Sequence, residues 1–182
     1  MDRRTTVLDG RLVTSESAAV RVVILYPEIM DVYADRGNLI ALRARCGGRG
    51  VAVEVTNVGL DAPLPAEADV VLIGGGQDAE QRRIAPDLLV RRDQLHHWVD
   101  EGTGVLAVCG GFQLFGHTYR TGEGEEIPGI GIFDVTTVAP PPDWERCIGD
   151  VLADSQIDGV GEVVGFENHG GRTYLGPSAR PF

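Results

Sequence analysis

No lysine occurs in the 182 residues, and all 16 basic side chains are arginine. That absence removes the phosphate-binding lysine of a P-loop and the Schiff-base lysine of carbonyl chemistry. Cysteine is nearly as scarce. Cys46, Cys109 and Cys147 form no CxxC pair and are odd in number, which argues against a disulfide framework or a structural zinc site. The apolar runs are too short to span a bilayer, and Met1–Thr6 lacks the apolar core of a signal peptide, so a cytoplasmic location without membrane insertion is expected. Positive charge is also in deficit: the formal net charge of −11 disfavours nucleic acid and anionic membranes as partners. The four histidines, His96, His97, His117 and His169, show no metal-ligand spacing, and no metal is expected.

What the chain does have is alternation. Val20–Tyr26, Val51–Val55, Ala68–Ile73 and Val105–Val108 read as apolar strands. Leu39–Cys46, closed by Gly47 and Gly48, reads as a helix. A second helix is expected from about Pro86 to Glu101, with Leu88, Leu89, Leu95 and Trp98 as its apolar stripe. This pattern predicts an α/β fold, a mostly parallel sheet with helices on both faces. After Tyr119 glycine and proline increase, and Ile130–Val135 and Gly161–Phe166 read as short strands of an antiparallel β excursion near the C-terminus. Residues 1–18 read as a loose polar arm or an irregular first strand, and 19–182 as a single domain.

The junction Val105-Leu-Ala-Val-Cys109-Gly-Gly-Phe-Gln113 carries the most chemistry. A strand stops at a cysteine, two glycines follow, and Phe112–Tyr119 can begin a helix. Such a turn exposes the sulfur above the carboxyl end of the sheet, near the positive end of a helix, which favours the nucleophilic thiolate. A buried core cysteine would need neither glycine. A nucleophile attacking a carbonyl also needs oxyanion donors and a base. Gly74–Gly76, at the end of a neighbouring predicted strand, can supply one backbone N–H, and Gly110 another. Alone, a glycine run is usually only a loop.

These residues resemble the class I (triad) glutamine amidotransferases, through Cys109-x-Gly111-x-Gln113 and the Gly74–Gly76 turn. Within them the chain resembles the cobyric acid synthase-like branch, and most closely the glutaminase subunits of lipid II isoglutaminyl synthases. The segments carrying this are Tyr33–Arg43, Ile73–Asp78, Cys109–Gln113, Arg146-Cys-Ile-Gly-Asp150 and Gly165-Phe-Glu-Asn-His-Gly-Gly-Arg-Thr-Tyr174. The resemblance implies that Cys109 attacks the side-chain carbonyl of L-glutamine, forming a glutamyl thioester and releasing ammonia. It implies that Gly75 and Gly110 donate N–H groups to the oxyanion, with Gln113 in the substrate site. Arg146 matches the arginine that holds the glutamine α-carboxylate, a task suited to its planar fork; unaided, the sequence leaves a surface-loop arginine equally open. The implied partner is a Mur-ligase-like synthetase subunit in a hetero-oligomer. ATP and Mg would sit on that partner, with no cofactor on this chain.

The resemblance departs at one point. The family's cysteine-activating histidine lies in a later Tyr-x-His-Gly-Pro-type segment, and no histidine follows His169 here. Three readings are open: a chain lacking its C-terminal segment, which is the expectation; a non-catalytic partner-binding relative; or His169 as the base. His169 is flanked by glycine, where histidine more often fixes a loop by hydrogen bonds. Corrinoid side-chain amidation is an alternative use of the same ammonia chemistry, but those enzymes fuse the glutaminase to a synthetase domain.

Overall fold

The computed structural model describes residues 4–8, 11–15, 19–31, 35–141 and 143–181, with backbone alone for 4–8, 11–15 and 35–36. Four parallel strands form the central sheet: β3 (Ala19–Leu25), β4 (Ala52–Val58), β5 (Val70–Ile73) and β6 (Gly104–Ala107), in the order β4-β3-β5-β6. Their β-branched residues suit a pleated surface covered on both sides. Alternation along β3 shows this directly. Val22 and Ile24 pack with Leu72 and, from helix α1 (Asp35–Gly47), with Leu39 and Leu42. Val23 and Leu25 face the opposite way, into the main core with Ile84, Leu88, Leu95 and Trp98. Those four belong to α2 (Asp78–Val90) and α3 (Arg92–Asp100), so helices do cover both faces.

The single helix expected over Pro86–Glu101 is in fact two, and the first begins eight residues earlier. At the start of α2 the Gln77 N–H donates to the Glu80 carboxylate at 2.9 Å, satisfying one of the orphan donors of a helix terminus. Gln81, Ile84, Ala85 and Leu88 then form its buried stripe, and Pro86 lies exposed inside the helix. The helix start expected at Pro86 is overridden by this packing.

Two further differences concern the segments around the main sheet. Residues 4–8 and 11–15, expected to lie in a loose polar arm or an irregular first strand, form β1 (Arg4–Leu8) and β2 (Arg11–Ser15), paired antiparallel as a separate ribbon. Downstream of Cys109, α4 spans only Gly110–Phe115, and Thr118–Arg120 is strand β7 rather than helix. β7 pairs with β8 (Glu126–Pro128) and β9 (Val135–Val138), and β9 pairs with β12 (Arg172–Leu175), giving a second four-stranded sheet. His117, placed on a helix by the sequence pattern, lies in the connection between α4 and β7. An antiparallel excursion is present as the hairpin β10 (Cys147–Asp154) and β11 (Glu162–His169), and β11 takes in most of the expected strand Gly161–Phe166. The strand expected over Ile130–Val135 is instead irregular up to Asp134, with only Val135 entering β9.

The core runs beneath the turn at Cys109. Leu114 and Phe115 of α4 are fully buried with Tyr26, Met30 and Ile130, and Phe115 lies 5.9 Å from the Phe133 ring. Arg91, 8% exposed, donates to both Asp87 oxygens at 2.7 and 3.1 Å and to the carbonyls of Ala62 and Gly59. Burial pushes the Asp87 carboxyl up, but the bonds from Arg91 and Tyr26 outweigh it and hold it below the ordinary carboxylate value.

Candidate functional site

Strand β6 ends at Ala107 and helix α4 starts at Gly110, so Cys109 occupies the sharp turn between them. Its backbone sits at φ 53°, ψ −116°, a conformation that a non-glycine residue rarely adopts. The thiol is free and exposed. The expected elbow is therefore present as geometry: a strained residue at the carboxyl end of a parallel strand, with its sulfur open to a ligand.

The glycine turn after β5 packs against this elbow. The Val108 N–H donates to Ile73 O at 3.0 Å, and the Gly111 N–H to Gly74 O at 3.1 Å. The two segments lie so close that side chains do not fit between them. A Cβ on Gly110 would fall 2.7 Å from Gly76 O, and one on Gly111 2.6 Å from Gly74 O. Glycine at 110 and 111 is thus a requirement of close backbone approach. Gly75 lies buried in the middle of that turn.

A polar network lies beside the turn. Gln81 Nε2 donates to Gln113 Oε1 at 2.8 Å and to Gly76 O at 3.2 Å. The Tyr119 hydroxyl donates to Asp78 Oδ1 at 3.1 Å. Burial first, and the Asp78 charge second, push the Tyr119 hydroxyl up to about 12, so it stays a neutral donor at physiological pH. Gln81, Asp78 and Tyr119 escaped the sequence reading. The available signal was a glutamine on the apolar stripe of α2, a position that otherwise takes Ile84, Ala85 and Leu88.

Arg146 directly precedes the first strand of the hairpin, and His169 ends its second. Exposed Arg146 donates through Nη2 to Asn168 O at 3.1 Å and to Asn168 Oδ1 at 3.0 Å, and through Nε to the same Oδ1 at 3.2 Å. A Cβ on Gly170 would lie 3.5 Å from Arg146 Nη1, and one on Gly171 3.8 Å from Gln113 Nε2. The chain at Gly170–Gly171 therefore connects the Arg146 guanidinium to the helix that follows Cys109. Cys109, Gln113 and the glycine turn lie at the carboxyl end of the parallel sheet, as expected for open α/β sheets, and Gly170–Gly171 lies between Gln113 and the Arg146 guanidinium.

His169 Nδ1 bonds Gly171 O at 3.0 Å and its Nε2 bonds Glu167 Oε2 at 2.9 Å. Both ring nitrogens are occupied, which is the loop-fixing arrangement rather than that of a base facing a thiol. His117 pairs with Asp134 at 2.9 Å, and His96 bonds Ile130 O at 2.7 Å. His97 is exposed on α3. Among the described residues, no hydrogen bond joins Cys109 to any of the four histidines.

Cys147, Glu167 and His169 each bring one potential ligand atom within 4.8 Å of the others, donor types that could hold a divalent ion. The sequence spacing gave no hint of this, because register pairing of Cys147 with His169 creates it. The hydrogen bond between Glu167 and His169 accounts for two of the three as they stand. No described helix is long and apolar enough to cross a membrane.

Comparison with known proteins adds a family. Residues 21–182 match the model of the CobB/CobQ-like glutamine amidotransferase domain. The lipid II isoglutaminyl synthase (glutamine-hydrolyzing) subunit GatD of Staphylococcus aureus is 38% identical over 146 residues, covering 80% of this chain and 58% of that protein. Its Streptococcus pneumoniae counterpart is 34% identical over 163 residues, covering 89% and 62%. A cobyric acid synthase of Rhodobacter capsulatus is 35% identical over 159 residues, covering 82% and 30%. The chain thus spans about three fifths of the length of the two GatD relatives.

Proposed function

From the premise that the chain belongs to the CobB/CobQ-like glutamine amidotransferase family, we propose that it is the glutaminase part of a lipid II-amidating enzyme of cell-wall synthesis. The observation carrying this reading is the strained, exposed Cys109 packed against the glycine turn, with Arg146 on the same side.

In this reading Arg146 pairs with the α-carboxylate of L-glutamine and fixes the amide over Cys109. Its present partner, the Asn168 amide, is a neutral acceptor that a carboxylate would outcompete. The Cys109 thiolate adds to the amide carbon, a C–S bond forms, and the carbonyl π electrons move onto oxygen. N–H groups of Gly75 and Gly110 receive that oxyanion. The intermediate collapses as the amide nitrogen takes up the proton that the thiol gave up, the oxyanion electrons re-form the carbonyl, the C–N bond breaks, and ammonia leaves. Water then cleaves the thioester to glutamate and free thiol. Gln113 sits beside this pocket, its amide oxygen held by Gln81.

Ammonia would pass to a Mur-ligase-like synthetase subunit in a hetero-oligomer, where ATP and Mg activate the D-glutamate carboxyl of the lipid II stem peptide. That reading puts the reaction in the cytoplasm and needs no cofactor on this chain. A second reading rests on a specific observation: His96, His117 and His169 bond other groups, His97 is exposed on α3, and among the described residues none of the four is bonded to Cys109. Such a chain would bind and stabilise its synthetase without hydrolysing glutamine. Glutamate release from glutamine, measured with the chain alone and with the synthetase subunit, separates the two. Release that disappears in Cys109→Ala supports the glutaminase, and none under either condition supports the binding module.

A further inference from the structure

Gln81 occupies a position built for an apolar side chain. It lies on the stripe with Ile84, Ala85 and Leu88 and is 2% exposed. Burying a primary amide there costs its hydration, and only part of that cost is recovered. Nε2 donates to Gly76 O at 3.2 Å and to Gln113 Oε1 at 2.8 Å, while Oε1 has no hydrogen-bond partner among the described residues. An unmatched buried carbonyl of this kind is destabilising. Methionine or leucine would fill the same space without that cost, so packing does not explain the residue. What the amide holds does.

It holds the two halves of the oxyanion site together. The proposed donors, the N–H groups of Gly75 and Gly110, come from segments more than thirty residues apart in sequence. On one side of Gly75, Gly74 O is fixed by the Gly111 N–H at 3.1 Å. On the other side, Gly76 O is fixed by Gln81. The Gly75 peptide is thus pinned at both flanks, one pin from the elbow and the other from α2. A Cβ at Gly110 would lie 2.7 Å from Gly76 O and 3.0 Å from Gln81 Nε2, so the three segments meet at one point. By taking the Gln113 oxygen, Gln81 also turns the Gln113 NH2 group away from itself, on the side where a Cβ at Gly171 would lie 3.8 Å from Nε2.

We propose that Gln81 is a positioning residue of the glutaminase site: its amide clamps Gly76 and Gln113 so that the glycine turn and the Cys109 elbow present one preformed oxyanion pocket. This rests on the glutaminase reading for its catalytic meaning, but not for the clamp itself. Gln81→Met keeps the volume and removes the donor. Gln81→Glu keeps the shape but sets a carboxylate against two acceptor oxygens.

The test compares two alkylations of Cys109 in the full chain, followed by intact mass. 6-Diazo-5-oxonorleucine, a glutamine analogue, requires a formed substrate pocket, whereas iodoacetamide requires only an accessible thiol. Both substitutions are expected to lower the labelling-rate ratio of analogue to iodoacetamide roughly 10- to 100-fold, the range for sub-ångström to ångström misplacement of a reacting group. An unchanged ratio overturns the proposal. Amide hydrogen exchange reads the clamp without any chemistry. Protection at Gly75–Gln77 is expected to fall about tenfold in Gln81→Met, while β3 and β5 keep theirs. Equal protection in both proteins overturns it. If the unchanged chain resists the analogue, the glutaminase reading fails, and the exchange result alone decides whether the clamp exists.

Discussion

The sheet β4-β3-β5-β6 and the hairpin β10–β11 bury their apolar residues very differently. In the sheet, Val22, Val23, Leu25, Val71 and Ile73 are at most 1% exposed. On one face of the hairpin, Ile148, Leu152, Val164 and Phe166 are 63–76% exposed. The proposed chemistry divides along the same line. Cys109 and the glycine turn grow from the sheet, and Arg146 lies directly before the hairpin's first strand. Reaction geometry needs rigid support, because small displacements of reacting atoms are costly. Recognition of a carboxylate tolerates a looser mount, since a guanidinium has five donors and a long stem.

The sharpest way to break this comparison is at the sulfur. Cys109→Ala is expected to reduce glutamine hydrolysis to background without lowering the melting temperature, because the thiol is exposed and free. Gly110→Ala is expected to be almost as damaging, since its Cβ would lie 2.7 Å from the Gly76 carbonyl oxygen. Iodoacetamide should still modify Cys109 in that variant, which distinguishes a displaced pocket from a lost nucleophile.

A second contrast is energetic. Leu88→Ala, at a fully buried site, is expected to cost about 2–5 kcal/mol in denaturant unfolding. Phe166→Ser on the open hairpin face is expected to stay within about 0.5 kcal/mol, the usual range for surface substitutions. Equal costs would show that the hairpin face packs in solution. Arg146→Ala belongs between these regions. It should weaken apparent glutamine affinity by about 1.5–3 kcal/mol, roughly 10- to 150-fold, leaving iodoacetamide labelling unchanged.

The smallest expected effect is a pH dependence. Hydrogen bonds from the Ser178 side chain and backbone, with His117 adding to them, hold the Asp134 carboxyl down at about 2. A carboxylate lowered on folding contributes stability above its ordinary value of 3.8, lost as pH falls through about 2. Asp134→Asn is therefore expected to flatten the fall in melting temperature across that acid window and to leave the neutral-pH slope unchanged. Gly176 belongs to the same clip: any side chain there would overlap the Asp134 carboxylate.

The four parallel strands and the elbow were legible because each signal was local. An apolar run of Val, Ile and Leu fixes a buried strand, and glycine beside a strand end fixes a tight turn. The start of α2 was missed because Gln77 is not a usual cap and Pro86 looked like a boundary. Packing of Ile84 and Leu88 settled that helix instead. The sheet of β7, β8, β9 and β12 was hidden for another reason. Its strands are three or four residues long, and β12 pairs with β9 across more than thirty residues, with the whole hairpin between them. The gathering of Cys147, Glu167 and His169, and the contacts of Gln81, likewise depend on pairing and helix phase. Composition does not encode those distances.

The most direct test of the account is modification of the chain by 6-diazo-5-oxonorleucine, with the adduct mapped by peptide mass spectrometry. Stoichiometric labelling confined to Cys109, blocked by excess glutamine and lost in Arg146→Ala, is the predicted result. Absence of labelling at Cys109, both alone and with the synthetase subunit, would contradict the claim that this elbow is a glutaminase nucleophile.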